Sequence, residues 1–302
     1  MSNKLNYDYI EPGTESNLEN LPSTFRINAS SIGNFFDHTP AWYQEKFNNV
    51  KAFSGSQASV LGTSLHRLAE LYSIHGTISA EDRDEIYEYM DLQACDDIDP
   101  NQIRTDIRPM WEQLKLHLQS NPSSLNEPFI YHQLATNLIV GGSIDSLIDL
   151  TDPGATYESL ADLPQSHQYK IVDYKSTSAK SPITRWSKSY KFQQLVYAWV
   201  LAQQGINVTQ IELLFITKQQ GGEISTKSGK PLKLYPSTTY QLTEPVTPDD
   251  LTFIGQIIEL ISDSVQLFNN QPELQSVIAQ DNRWKQSPPI NKYQFTSTIE
   301  DI

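Results

Sequence analysis

Cysteine is almost missing from this 302-residue chain, in which Cys95 stands alone. An internal disulfide and a four-cysteine iron-sulfur site are therefore excluded, and a lone thiol suits a reducing compartment. Long apolar runs are missing too. Without an apolar run of membrane-spanning length or a basic-then-apolar opening, the expectation is a chain neither exported nor membrane-inserted, in the cytoplasm. Positive charge is also short: 22 Lys and Arg face 36 Asp and Glu, for a formal net charge of -14. That balance excludes a protein that wraps a polyanion with its whole surface, so any such contact must be local.

The charge that is present is unevenly spread. Residues 170 to 191 hold Lys170, Lys175, Lys180, Arg185, Lys188 and Lys191 against the single acid Asp173. Residues 81 to 112 hold eleven acids against Arg83, Arg104 and Arg108. The first stretch is a local anion-binding candidate, and the second is expected to face away from polyanions. The length suffices for one large domain with its own core, here residues 25–270 with a helical insertion at 76–126. Residues 1–24 read as a polar tail, and 271–302 as a Gln- and Asn-rich end without a readable role.

Periodicity places the elements. A short helix from Ser30 sets Ile32, Phe35 and Phe36 on one face, breaks near Pro40 and is followed by Trp42, Tyr43 and Phe47. Leu61, Leu65, Leu68 and Tyr72 recur at helical spacing and predict a helix over 57–75, with Gly62, His66 and Glu70 on a neighbouring face. Glu70 is assigned to a helix salt bridge. Ser79 with Asp82, and Asp99 before Pro100, signal two helix starts within 79–120. A strand at 126–137 is expected to turn at Asn137 into a second strand, with His132 a sheet residue and Glu127 more plausible as surface than as a second metal ligand.

The chain is organised around residues 141–150 and 169–180. Read at the strand period of two, the first sets Leu138, Val140, Ile144, Ile148 and Leu150 on one face, opposite Asp145 and Asp149. In the second, Asp173 and Lys175 project from the same side of one strand. Two carboxylates and an amine converge, a set that suits a hard divalent cation and hydrolysis of a phosphodiester. Residues 151–168 read as a loop. The polar, basic stretch after Lys175 reads as a mobile loop in which Trp186 is exposed for stacking. A helix over 189–204, capped by Gly205, carries Gln193 and Tyr197 one turn apart. A buried strand at 211–218, a hairpin with a basic tip and a packing helix opened by Thr247 and Pro248 complete the order.

Five of these pieces together resemble the PD-(D/E)xK nuclease superfamily, in its RecB-like, phage-type exonuclease branch. They are Gly142-Ser143-Ile144-Asp145, Val172-Asp173-Tyr174-Lys175, the helix with His66, the Gln193 and Tyr197 helix, and the Ser30 to Phe47 opening. The resemblance spans Ser30 to Lys218. It implies an α/β, restriction-endonuclease-like core (αβββαβ) with a central mixed sheet flanked by helices, plus the acidic insertion. It further implies that Asp145, Asp173, His66 and the Tyr174 carbonyl hold Mg²⁺ or Mn²⁺, and that Lys175 handles the attacking water. Gln193, Tyr197, Lys180, Arg185 and Lys188 would touch substrate. Some relatives carry an iron-sulfur cluster, but here the usual cysteine position reads His38 or Thr39, so none is expected. The implied activity is a metal-dependent DNA exonuclease acting on ends or single strands in recombination, repair or replication. Recombination or replication proteins would be its partners, and a virus-encoded chain would act in the host cell. A structure-specific endonuclease and a silent binding module with the same fold are the rival readings.

Overall fold

The structure is a computed structural model that describes residues 25–37, 42, 56–135, 138–222, 224, 229–271 and 273–274. The expected tail 1–24, the Pro40, Tyr43 and Phe47 positions, the turn at Asn137 and nearly all of 271–302 lie outside the described residues. Trp42 is within them, buried edge-on against Phe35 at 5.3 Å with its indole N–H donated to Ser31 Oγ.

Element order runs β1 (Phe25–Asn28), α1 (Ile32–Asp37), α2 (Gln57–His75), α3 (Ala80–Leu92), α4 (Pro100–Ser120), β2 (Leu125–Asn126) and β3 (Phe129–Ala135). It continues with β4 (Leu138–Ser143), β5 (Ser146–Asp149), β6 (Gln168–Thr177), α5 (Lys188–Gln203), β7 (Asn207–Thr217), β8 (Thr239–Pro245) and α6 (Pro248–Asn270). Within that series α2, β3, β4 to β5, β6, α5 and β7 follow the expected α-β-β-β-α-β order. The sheets are mixed: β1-β4-β3 contains a parallel and an antiparallel pair, and β2-β5-β6-β7-β8 is parallel only between β6 and β7. A parallel neighbour needs a crossover, which α5 supplies.

Helix starts follow the local chemistry. Ser56 caps α2 by accepting from Ser59 N, and the helix stops at Gly76, whose φ of 69° is open to glycine at little cost. Ser79 and Asp82 form a capping box on α3, and Asp99 accepts from Asn101 N and Gln102 N ahead of Pro100 on α4. Both predicted insertion helices are present, and they are more than an appendage. Ile86, Met90, Ile103, Ile107, Met110 and Leu114 share a core with Leu61, Leu65 and Leu68 of α2 and with Val172, Tyr174, Leu214 and Ile216 of the sheet. The other sheet face packs on α5 and α6 through Val196, Val200, Ile254, Ile258 and Ile261. Strand β6 is thus covered on both faces, with Tyr169 and Ile171 in one core and Val172 and Tyr174 in the other.

One expectation needs correction. The single strand read through 141–150 is broken: β4 ends at Ser143 and β5 begins at Ser146. At the break Ile144 N donates to Pro128 O and Glu127 N to Asp145 O, which hands the chain from one sheet to the other. The period of two does not survive that step, so Asp149 does not share a face with Asp145. Within α6, an 18-residue window of Pro248–Phe268 reaches a mean hydropathy of 1.2, enough by length and composition alone to cross a membrane, although Glu259 and Asp263 interrupt it. Here Ile254, Ile258, Ile261 and Val265 of that stretch pack into the core.

Candidate functional site

Alternation along β6 sends Asp173 and Lys175 to one side, and Lys175 Nζ lies 2.6 Å from Asp173 Oδ2. The β4–β5 break brings Asp145 to the same place, where its Oδ2 accepts from the backbone N–H of Tyr174 at 2.6 Å. From α2, His66 reaches across: Nδ1 is 3.1 Å from Asp145 Oδ1 and Nε2 is 2.8 Å from the Tyr174 carbonyl. Both of its partners are acceptors, which favours the protonated ring while no cation is bound; a cation would take a ring nitrogen in its neutral form. Burial works against that charge, but the Asp145 carboxylate outweighs it and raises the His66 pKa.

The two carboxylates respond in opposite ways. Burial pushes Asp145 up, yet His66, Lys175 and the Tyr174 N–H together hold its pKa below the usual value. Asp173, only 2% exposed, is pushed up to about 6, by burial first and then by the charge of Asp145, against the pull of Lys175. Its Oδ2 has no hydrogen bond of good geometry. Its Oδ1 accepts from Gln193 Nε2 at 3.3 Å, and the same amide donates to Tyr197 Oη at 3.2 Å. Lys175 is also buried, which lowers its pKa, but Asp173 and Asp145 more than compensate and keep it charged.

His66, Asp145 and Lys175 meet a cleft of about 720 Å³ lined also by Thr63, Glu127 and Tyr190, whereas Asp173 is buried behind it. Glu127 belongs to the cluster, since ligand atoms of His66, Glu127 and Asp145 lie within 4.8 Å of one another. It also sits at φ 45°, left-handed backbone that a non-glycine residue adopts at a cost of about 1 kcal/mol or more. On sequence alone Glu127 is weighed as a metal ligand and assigned to the surface; the β2 to β3 connection instead brings it to the cleft beside His66. Tyr190 is a residue that sequence reasoning passed over; its ring lies 5.1 Å from Lys175 Nζ. The helical spacing that sets Tyr190 one turn before Gln193 was its available signal.

Other residues fall elsewhere. Gln193 and Tyr197 are buried behind Asp173 instead of lining the cleft, and Gly142 allows this, because a Cβ there would stand 3.1 Å from Tyr197 Oη. The basic stretch is dispersed. Lys170 pairs with Glu212 at 2.9 Å and Lys191 with Glu244 at 2.7 Å. Lys180 and Arg185 are exposed outside the cleft lining, and Lys188 lies over the Phe192 ring at 5.6 Å. Trp186, read as exposed, is half-buried against the core. Glu70 is bonded to Arg67 as expected of a helix salt bridge, and His132 lies on β3 edge-on to Trp199. Asp149 is fully buried and bonded by Tyr157 Oη, His167 Nδ1 and the amides of Thr151 and Asp152.

The donors present fit a divalent cation: the carboxylates of Glu127 and Asp145 and the His66 imidazole converge beside the Tyr174 carbonyl, with Asp173 buried close enough for the charge of Asp145 to act on it. The family model of the PD-(D/E)XK nuclease superfamily matches residues 26–266. Among solved structures, a Eubacterium rectale protein described as a candidate exonuclease is 14% identical, with a TM-score of 0.49 and 87% of each chain covered. LHK-Exo in complex with dAMP is 10% identical at a TM-score of 0.28, covering 71% of this chain and 97% of that one. No curated protein matches the sequence.

Proposed function

Because the chain belongs to the PD-(D/E)XK nuclease superfamily, we propose that it is a divalent-metal-dependent DNA exonuclease. The observation that carries this reading is the meeting of His66, Asp145 and Lys175, from α2, the β4–β5 break and β6, at one cleft, with Asp173 buried behind them and paired to Lys175. A cation there would supply a sharpened water nucleophile and offset the charge that builds on the phosphate. Asp145, Asp173, His66 and the Tyr174 carbonyl would hold it, with Glu127 as a further carboxylate. Asp145 is fixed by the Tyr174 N–H, and Asp173 is oriented by Gln193. Lys175, kept charged by its two acids, donates from Nζ to the attacking water or to the phosphate oxygen beside it.

The exonuclease assignment draws on the His66 helix ahead of the core and on the Gln193 and Tyr197 pair, both features of the RecB-like branch. The same resemblance supports a role in recombination, repair or replication in the cytoplasm, alongside proteins of those processes. End-labelled single strands, linear duplex and closed circles incubated with Mg²⁺, Mn²⁺ or EDTA test it. Linear DNA is shortened from its ends with metal, circles are spared, and EDTA abolishes the reaction. Cleavage of circles transfers the assignment to an endonuclease, and inactivity on every substrate and metal overturns the enzyme reading.

A further inference from the structure

A second groove, of about 620 Å³, opens where β6 ends, between α4 and the arms of the excursion at 219–235. Those arms are tied together: Gln220 and Tyr235 exchange backbone hydrogen bonds at 2.9 and 2.7 Å, and the Gln220 amide donates to Ser178 O at 2.6 Å. Gly221 permits the closure, since it has φ +74° and a Cβ there would fall 2.0 Å from Lys233 O. The Tyr235 ring is thereby fixed beside the β6 exit. Two ammonium groups gather on it, Lys180 Nζ at 5.1 Å and Lys233 Nζ at 4.9 Å from the centroid.

Among the described residues neither Lys180 nor Lys233 is paired with a carboxylate. The groove does contain an acid, the buried Asp106, but Lys218 neutralises it. Two like charges on one ring, in a protein of net charge -14, are a local exception that calls for a polyanion. Lys180 follows Lys175 by five positions, at most about 16 Å of chain even if fully extended, so one strand a few nucleotides long can reach from the cleft to this groove. An aromatic ring flanked by cations is the chemistry that holds single-stranded nucleic acid, through a stacked base and neighbouring phosphates.

We propose that this groove is a second contact for single-stranded DNA whose end occupies the cleft, with Lys180 and Lys233 on its phosphates and Tyr235 against a base. This extends the nuclease reading above by naming the form of the substrate and its path away from the site. Fluorescence anisotropy in EDTA tests it on the full chain, with labelled oligothymidylates of about 4 and about 15 nucleotides, the span of known single-strand site sizes. The longer oligomer binds tighter. In Lys180→Gln/Lys233→Gln that advantage falls about tenfold and the log-log salt slope flattens by about 1.4, two single-strand phosphate contacts. Tyr235→Ala lowers the same advantage at an unchanged slope. Equal affinity and slope in both variants overturn the proposal, as does displacement by polyglutamate as effective as by unlabelled DNA, which marks a site for acidic protein. Metal-dependent cleavage of the longer oligomer is scored separately. Cleavage with unaltered variant binding removes the groove alone, whereas absence of cleavage removes the nuclease reading and leaves binding to decide the groove.

Discussion

Two buried aspartates, Asp149 and Asp173, lie at opposite ends of the β5–β6 region, and their surroundings differ in kind. Asp149 is fully buried, and burial pushes its pKa up, but His167, the Asp152 and Thr151 amides and Tyr157 hold it down at about 2. Asp173 is nearly as buried, shares its space with Asp145 and is pushed up to about 6. One carboxylate is saturated with donors and the other is short of them. A saturated acid organises the chain around it, here by pinning the start of the loop at 151–168. Asp173 has only the Lys175 ammonium and the Gln193 amide beside it and shares its space with a second carboxylate, a crowding of charge that is common where chemistry is performed.

The largest effect that would break the comparison is on activity. Asp173→Asn is expected to lower cleavage about a thousandfold, the several kcal/mol a metal centre contributes to the transition state, while thermal stability at neutral pH is unchanged or improved. Asp149→Asn is expected to do the reverse. It removes a charged acceptor of several hydrogen bonds and costs about 2 kcal/mol of stability, with cleavage per folded molecule retained. Denaturant melts and a nuclease assay on the same preparations check both. Swapped outcomes would dissolve the distinction between the two acids.

Acid titration sharpens it. The folded pKa of Asp149 lies below its unfolded value, so its contribution is fully present above about 4 and is lost as pH falls toward about 2. Asp149→Asn should remove that slope from a plot of stability against pH between these limits. An unaltered slope would mean that the bonds to His167 and Tyr157 do little.

Smaller effects follow at the margins of the site. Tyr190→Leu removes the ring beside Lys175 and is expected to lower cleavage by at most about thirtyfold, the roughly 0.5–2 kcal/mol of a cation–ring contact, with metal affinity unchanged. Steady-state rates across a Mn²⁺ titration separate the two quantities. Lys191→Ala, which breaks an ion pair with Glu244 that is about one-third exposed on both sides, should change stability by at most about 0.5 kcal/mol and leave cleavage alone. A large loss there would return Lys191 to the substrate path.

What the sequence made legible was local. The α2 stripe of Leu61, Leu65 and Leu68, the caps at Ser79 and Asp99, and the shared side of Asp173 and Lys175 each depend on neighbours within a few residues. The meeting of His66 with Asp145 and the Tyr174 carbonyl came from the family resemblance, because no spacing rule spans that distance. What failed was carrying a local rule across a break. The strand period run through Ile144 put Asp149 beside Asp145. Composition likewise made Lys170 and Trp186 part of an open basic surface, whereas Glu212 on the adjacent strand and the core beneath take them out of it. Glu127, weighed as a metal ligand and set aside as surface, was misjudged for the same reason, since its left-handed backbone and its place beside His66 depend on where β3 and the β4–β5 break come to lie.

Calorimetric titration of Mn²⁺ into the unmodified protein, Asp145→Asn and Asp149→Asn, each verified as folded, addresses the central claim most directly. The unmodified chain and Asp149→Asn are predicted to bind the ion alike, and Asp145→Asn to lose most of that binding. Equal binding by all three, or its loss in folded Asp149→Asn alone, would contradict the assignment of the metal to the cleft of His66 and Asp145.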